Sequence, residues 1–363
     1  MSLRVLIAGG GTGGHLFPAL AVAAELRAGA DGAEILFVGT RRGLEASLIP
    51  RHGYAIAFIE TTALKGMGGA ARARSLATLP RALWQSRKIL AGFRPDVVLG
   101  VGGYASGPVV LAARLAGLPT LLAEQNAIPG LTNRVLGRFA RVVCVAFQES
   151  ASFFPAGKVR VTGNPVRREI AAKAGAAAPA SRATPCVFVF GGSQGAHAVN
   201  ALASAALVRL SRAGTRLAVL HQTGEADLEA MRARYAEAGV LADVRVFVDD
   251  MGAAYAQADL VVARAGATTL AELCAAGRPA ILIPFPHAAD DHQWQNARTL
   301  RDAGAALVFR QEALDDAVLA DVIRSLLADP ERRARMAEAM RRLDRPDAAA
   351  AIAEECRRLG GKD

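Results

Sequence analysis

Short apolar runs recur along the chain. Each is followed by small residues, then by a stretch where apolar positions return every three or four residues. Residues 4–8, Arg4-Val-Leu-Ile-Ala8, predict a buried strand, and the glycines of residues 9–14 lead from it into a helical pattern over 15–27. Further strands are expected at 34–38, 96–100, 120–123 and 141–145. The pattern restarts at 186–190, passes through Gly191-Gly-Ser-Gln-Gly195, and enters a helix ending near Ala206. Strands at 218–221, 244–248, 260–263 and 280–284 complete it. Strands alternating with helices predict parallel βαβ units with right-handed crossovers. The Ala- and Pro-rich residues 171–185 read as a connection between two halves. The expected fold class is therefore α/β, with two Rossmann-like domains in tandem and a ligand cleft between them, at the carboxyl ends of the strands.

Composition agrees with this pattern. At ~150 residues per domain, 363 residues suit two domains with separate cores. The 52% hydrophobic content and 36 glycines indicate a globular chain. Four cysteines without a C-x-x-C pair argue against a zinc ribbon or a disulfide framework and suit a reducing cytosol. The apolar residues 5–8 are too few for a signal peptide. The longest uncharged stretch, 183–208, contains Gln194, His197 and Asn200, and is no membrane span.

Charge adds something the pattern does not. The net +10 lies wholly in residues 1–163, with 18 Lys/Arg against 8 Asp/Glu; the remainder has 25 of each. The first half should attract an anionic partner, whether nucleic acid, anionic lipid or a phosphorylated substrate. No nucleic-acid module is recognisable and only 5% of residues are aromatic, so nucleic acid is not the expected partner. Residues 61–95 contain no acid. They interleave Lys65, Arg72, Arg74, Arg81, Arg87, Lys88 and Arg94 with Leu64, Met67, Leu76, Leu79, Leu83, Trp84, Ile89, Leu90 and Phe93. Such a segment suits an anionic membrane surface, or an amphipathic helix on its own sheet with a solvated basic face.

Candidate chemistry gathers at the glycines. Residues 9–14 fit G-x-G-x-x-G after a strand, which brings backbone N–H groups and a helix N-terminus to a phosphate. A dinucleotide site would want an acid after the second strand, where Gly39-Thr-Arg-Arg42 stands instead. Its two arginines keep an NADP-binding Rossmann enzyme as an alternative. Two further glycine loops, residues 100–107 and 191–195, point to two phosphate-bearing ligands. In Arg264-Ala-Gly-Ala-Thr-Thr-Leu-Ala-Glu272 a helix start would take a diphosphate and Glu272 the ribose hydroxyls. The plainer alternative is a capped helix with a surface carboxylate. His15, at a helix start beside the first loop, is a candidate general base, or else a capping or core histidine. His287, Asp290, Asp291 and His292 lack a metal-ligand spacing, so no metal is expected; Gln293 and Asn296 read as substrate contacts.

Taken in order, Gly10-Gly-Thr-Gly-Gly-His15, Gly100-Val-Gly-Gly-Tyr104, Glu124-Gln-Asn126, Gly163-Asn-Pro-Val-Arg167, Gly191-Gly-Ser-Gln-Gly-Ala196 and His292-Gln293 resemble the bacterial lipid II-forming N-acetylglucosaminyltransferases, the MurG family. The resemblance runs from the first strand to about Gly304. It implies the GT-B fold, with an acceptor and membrane-associating domain over 1–163, a UDP-sugar donor domain over 164–344, and residues 345–363 packing back on the first. The implied reaction is inverting and needs no cofactor or obligatory metal. It moves N-acetylglucosamine from UDP-N-acetylglucosamine to the 4-hydroxyl of the muramyl sugar of a polyprenyl-diphosphate-linked muramoyl pentapeptide. The implied place is the cytoplasmic face of the bacterial inner membrane, peripherally bound, in peptidoglycan synthesis. By matching position, Thr12, Gly13, Gly14, Asn126, Arg167, Ser193, Val248, Ala267, Thr268, Thr269, Leu270, Ala271, Glu272 and Gln293 would contact the UDP-sugar. Gly10, Gly11, Gly102, Gly103 and Tyr104 would face the acceptor diphosphate, and His15 would be the base. A UDP-N-acetylglucosamine 2-epimerase shares the architecture and is the other sugar-nucleotide reading, though it leaves the basic apolar segment unexplained.

Overall fold

In the first half, runs covered on both faces become a parallel sheet, because apolar side chains on alternating faces both need a helix layer. Its strands are β1 (Arg4–Gly9), β2 (Glu34–Gly39), β3 (Ala55–Phe58), β4 (Val97–Gly102), β5 (Thr120–Glu124), β6 (Val142–Val145) and β7 (Val159–Val161). They lie in the order β3-β2-β1-β4-β5-β6-β7. The helices are α1 (Gly13–Ala28), α2 (Glu45–Arg51), α3 (Gly69–Phe93), α4 (Ser106–Leu115) and α5 (Leu131–Leu136). This is a computed structural model; it describes residues 2–29, 32–61, 69–174 and 184–361, without the side chains of 69–77 and 174. Leu64, Lys65 and Met67, the side chains of Arg72, Arg74 and Leu76, and residues 175–183 of the expected connection lie outside the described residues.

The second half continues with α6 (Arg168–Ala174), β8 (Cys186–Phe190), α7 (His197–Arg212), β9 (Ala218–Gln222), α8 (Leu228–Glu237), β10 (Leu241–Arg245), α9 (Met251–Gln257), β11 (Leu260–Ala263), α10 (Ala267–Ala276), β12 (Ala280–Leu282), α11 (His292–Asp302), β13 (Ala306–Val308), α12 (Asp316–Ala328), α13 (Pro330–Leu343) and α14 (Ala348–Leu359). Its parallel sheet has the order β10-β9-β8-β11-β12-β13. The strand expected at 244–248 is instead Leu241–Arg245. It is an edge strand with only Val244 buried, so its face alternates and gives no apolar run.

Contacts divide the chain into Met1–Arg167 with Arg345–Asp363, and Arg168–Asp344. In the first unit, Val5, Ile7, Val97, Leu99 and Leu121 pack on α1 and on Ile352, Ala353 and Cys356 of α14. On the other face Leu6, Val98 and Leu122 meet Val109, Val110 and Ala113 of α4. In the second unit Val187, Val189, Leu260 and Val262 pack on Leu207 of α7 and Ile323 of α12. All four cysteines are buried and unbridged. Among the described residues no helix is long and apolar enough to cross a membrane.

In each sheet the strand order reverses at one place, between β1 and β4 in the first and between β8 and β11 in the second. Loops leaving such a pair diverge to opposite faces and open a crevice at the carboxyl edge. All the glycine motifs sit at these two places.

Candidate functional site

In the first unit the loops after β1 and β4 lean on each other through backbone. Gly103 has φ +79°, and a Cβ there would overlap the carbonyl oxygen of Gly10. Tyr104 is exposed and lies over Gly11. The imidazole of His15, on the first turn of α1, packs beside Gly102, where a Cβ would stand 3.0 Å from its Cε1. His15 Nδ1 lies 3.0 Å from Oε1 of Gln125.

A carboxylate not foreseen from sequence shapes this loop. Glu45, 1% exposed, accepts from Gly11 N–H at 3.0 Å and from the N–H and hydroxyl of Thr40, both at 2.8 Å. Gly39 and Gly43 leave room for it, since a Cβ at either would overlap the Glu45 side chain. The Gly11 donor, expected to face a diphosphate, is thus held by the protein's own carboxylate and fixes the loop's shape. At the start of α1 Thr12 provides no side-chain cap and the first turn has no acid, which leaves the positive end of the helix dipole unopposed by a carboxylate of that turn. Gly13 is buried there, while Thr12 and Gly14 are exposed.

Asn126 follows β5 and is oriented by Glu124, whose Oε1 accepts from the Asn126 N–H and amide at 2.9 and 3.2 Å. The other oxygen of Glu124 takes Gly130 N–H and the Asn133 amide. Arg167 lays its guanidinium over the Phe17 ring of α1, 4.5 Å from the centroid.

In the second unit Gln222, at the end of β9 and buried, clamps two loops. Its amide donates to the Gly192 carbonyl at 2.8 Å and accepts from Val248 N–H at 2.8 Å. Ser193 is exposed at the tip of the glycine loop. Behind it runs a buried polar chain: Tyr235 hydroxyl to His221 Nδ1 at 2.9 Å, His221 Nε2 to Asn200 at 3.2 Å, and the Asn200 amide to Asp227 at 2.7 Å. Burial pushes the His221 pKa down to about 4 despite the nearby Asp227 carboxylate, so the ring stays neutral.

After β11 the chain turns into α10 at Gly266, with no side-chain cap and no acid in the first turn. Ala267 and Leu270 are buried, so Leu270 can offer a ligand only its backbone; Thr268, Thr269 and Ala271 are half-buried. Glu272 is buried rather than on the surface, and its Oε2 accepts from the Tyr255 hydroxyl at 2.9 Å. Arg264, also buried, donates to the carbonyls of Ile283 and Pro284 and to Gln311 Oε1, all neutral acceptors. Burial lowers its pKa to about 10, which leaves it a cation. Gln293, on α11, accepts from Phe285 N–H at 2.9 Å. Asn296, read from sequence as a substrate contact, is fully buried within α11's packing face and does not reach a ligand surface. Asp291 pairs with Arg310 at 2.6 Å and His292 donates to the Ala289 carbonyl, so these polar residues build their own loop.

The helices that begin at these crevices, α1, α4, α7 and α10, all lack a capping side chain and an acid in the first turn. Of the other helices α9, α12 and α13 are capped by Asp250, Asp315 and Asp329, while α5, α11 and α14 are bare as well. Uncapped starts keep their N–H groups and positive dipole ends available to anionic groups.

The N-terminal domain of glycosyltransferase family 28 matches residues 5–145, and the C-terminal domain of the same family matches 186–352. A Myxococcus xanthus protein named UDP-N-acetylglucosamine–N-acetylmuramyl-(pentapeptide) pyrophosphoryl-undecaprenol N-acetylglucosamine transferase is 50% identical over 354 residues, covering 98% of this chain and 92% of its own. A Geobacter metallireducens protein of the same name is 50% identical over 356 residues, covering 97% and 98%. Among solved structures, Acinetobacter baumannii MurG superposes with a TM-score of 0.78 at 34% identity, covering 98% and 99%. A UDP-N-acetylglucosamine 2-epimerase superposes at 0.67 with 14% identity, a likeness of fold alone.

Proposed function

The chain belongs to the family of UDP-N-acetylglucosamine–N-acetylmuramyl-(pentapeptide) pyrophosphoryl-undecaprenol N-acetylglucosamine transferases, and from that premise we infer its reaction. It is a glycosyltransferase of the GT-B type, with two Rossmann-like domains. It moves N-acetylglucosamine from UDP-N-acetylglucosamine to the 4-hydroxyl of the muramyl sugar of undecaprenyl-diphosphate-linked muramoyl pentapeptide, turning lipid I into lipid II in peptidoglycan synthesis. Identity at half of all positions, over nearly the full length of both chains, carries this reading.

The residue roles in this reading draw their support from the geometry of the two crevices. The second unit holds UDP: the open start of α10 and the loop of Ser193 take the diphosphate, Val248 lines the base, and Glu272, braced by Tyr255, accepts from the ribose hydroxyls. Arg264 sets a buried positive charge one residue before the Ala265-Gly266 turn, which favours an anionic leaving group. In the first unit the start of α1 and the loop of Gly102, Gly103 and Tyr104 receive the acceptor's diphosphate, and His15 Nε2 takes the 4-hydroxyl proton. The oxygen then attacks the anomeric carbon from the face opposite the phosphate. The bond from that carbon to the β-phosphate oxygen breaks, UDP leaves with the electron pair, and the configuration inverts.

The first unit also supplies the membrane surface in this reading, at the cytoplasmic face of the inner membrane. Trp84 on α3 is 64% exposed and Leu115 at the end of α4 is 71% exposed. Lys88 lies over the Trp84 ring. Part of the same helix packs on its own sheet: Leu90 is in the core, Leu83, Ile89 and Phe93 pack against it, and Arg81 pairs with Glu60 at 2.9 Å.

The deciding assay supplies labelled UDP-N-acetylglucosamine and a short-chain lipid-linked muramoyl pentapeptide in the presence of EDTA. A lipid-linked disaccharide is the expected product. Formation of UDP-N-acetylmannosamine with no acceptor required would replace the transferase by an epimerase.

A further inference from the structure

Gln125 follows β5 directly and is 2% exposed. Its two amide atoms can be told apart by their neighbours. One lies 3.3 Å from the Ala123 carbonyl oxygen, which only accepts, so that atom is the NH2 group. The atom facing His15 at 3.0 Å is therefore the amide oxygen. An amide oxygen cannot donate, so His15 Nδ1 must carry the hydrogen. In the neutral ring the lone pair then sits on Nε2, which has no partner among the described residues. Gly102 leaves the room that the ring occupies, since a Cβ there would stand 3.0 Å from Cε1 and 3.1 Å from Nδ1.

We propose that Gln125 is the positioning residue of the transfer, fixing the tautomer and plane of His15 so that Nε2 presents its lone pair to the acceptor hydroxyl. The inference rests on His15 being the base. A neutral imidazole without such a partner exchanges between two tautomers, only one of which puts a basic nitrogen toward substrate. Gln125 touches neither reacting atom; its effect passes wholly through the ring.

The test compares Gln125→Leu, Gln125→Glu and His15→Ala in the full-length enzyme at saturating UDP-N-acetylglucosamine and short-chain acceptor. Removing the base should lower kcat by ~10²–10⁴. Gln125→Leu should lower kcat by roughly tenfold to a hundredfold, a part of that loss, with the KM for UDP-N-acetylglucosamine within about twofold of the original. Gln125→Glu keeps an oxygen facing Nδ1 and should retain several times the turnover of Gln125→Leu. The double variant with His15→Ala should be no slower than His15→Ala alone. Nitrogen-15 NMR of labelled histidine in the unmodified enzyme should show His15 protonated on Nδ1, a measurement that needs no variant to fold. Protonation on Nε2 in the neutral ring would overturn the proposal, as would full turnover in Gln125→Leu beside a slow His15→Ala. Full turnover in His15→Ala is a separate result that removes the base itself.

Discussion

In the proposed reading Glu272 answers to both ligand and fold. Its carboxylate is buried and one oxygen is already held by Tyr255 at 2.9 Å, so the group is oriented before any ribose arrives. Replacing Glu272 with Gln keeps the shape and removes the charge. A charge-assisted hydrogen bond contributes about 1.5–3 kcal/mol, so UDP affinity should fall roughly tenfold to a hundredfold. Calorimetric titration of the folded variant reads this directly, and unchanged affinity would return Glu272 to a structural role. Glu272 and His15 could be singled out from the sequence as candidates because each lies within a few residues of a loop that announces itself by glycine. Glu45, Gln125 and Gln222 were not. The partners that give them their place in the site, Gly11, His15 and Val248, are 34, 110 and 26 residues away, and an isolated Glu or Gln carries no sign of what it will meet.

Between elements, the polar chain from Tyr235 through His221 and Asn200 to Asp227 joins α8, β9 and α7 behind the glycine loop of the second unit. His221 has a pKa of about 4 in the fold against an ordinary 6.5. Its lowered folded value sets the sign. Above pH 6.5 both states are neutral and the fold bears no penalty. As the pH falls toward 4, the unfolded chain binds a proton that the fold refuses, and stability is lost. The loss from this residue should approach ~3 kcal/mol at pH 4. Denaturant titrations between pH 7 and 4 should show a shallower loss for His221→Gln than for the unmodified chain; equal slopes would mean that other groups set the acid limit. The central strands of both sheets were legible as runs because they are covered on both faces. The strands β3, β7 and β13 were missed: they are three or four residues long and each is an edge strand, too short for a period to register. β10 was misplaced because its exposed alternation lies beside the more apolar Val246 and Val248. The return of α14 to the first unit followed from the family resemblance and not from any periodicity.

For the molecule as a whole, the charge imbalance and the exposed Trp84 and Leu115 predict attachment to anionic vesicles with two components. Each basic residue near an anionic leaflet contributes about 1 kcal/mol and is screened by salt, while an inserted indole is not. Co-sedimentation with phosphatidylglycerol vesicles should therefore weaken at high ionic strength without vanishing, and Trp84→Ser should remove much of the remainder. Complete release of the unmodified protein by salt would leave the indole without this role. The bare starts of α1, α4, α7 and α10 have a consequence for anyone engineering this enzyme. A capping side chain typically stabilises a helix by about 0.5–2 kcal/mol, and these four helices forgo it. Selection for heat resistance alone would thus be drawn to Asp at positions such as Ala196 and Gly266, and each carboxylate gained there would, in the proposed reading, occupy the place of a phosphate. The hottest variants of such a library should be the poorest sugar donors' hosts, and a thermal screen needs a substrate in the tube.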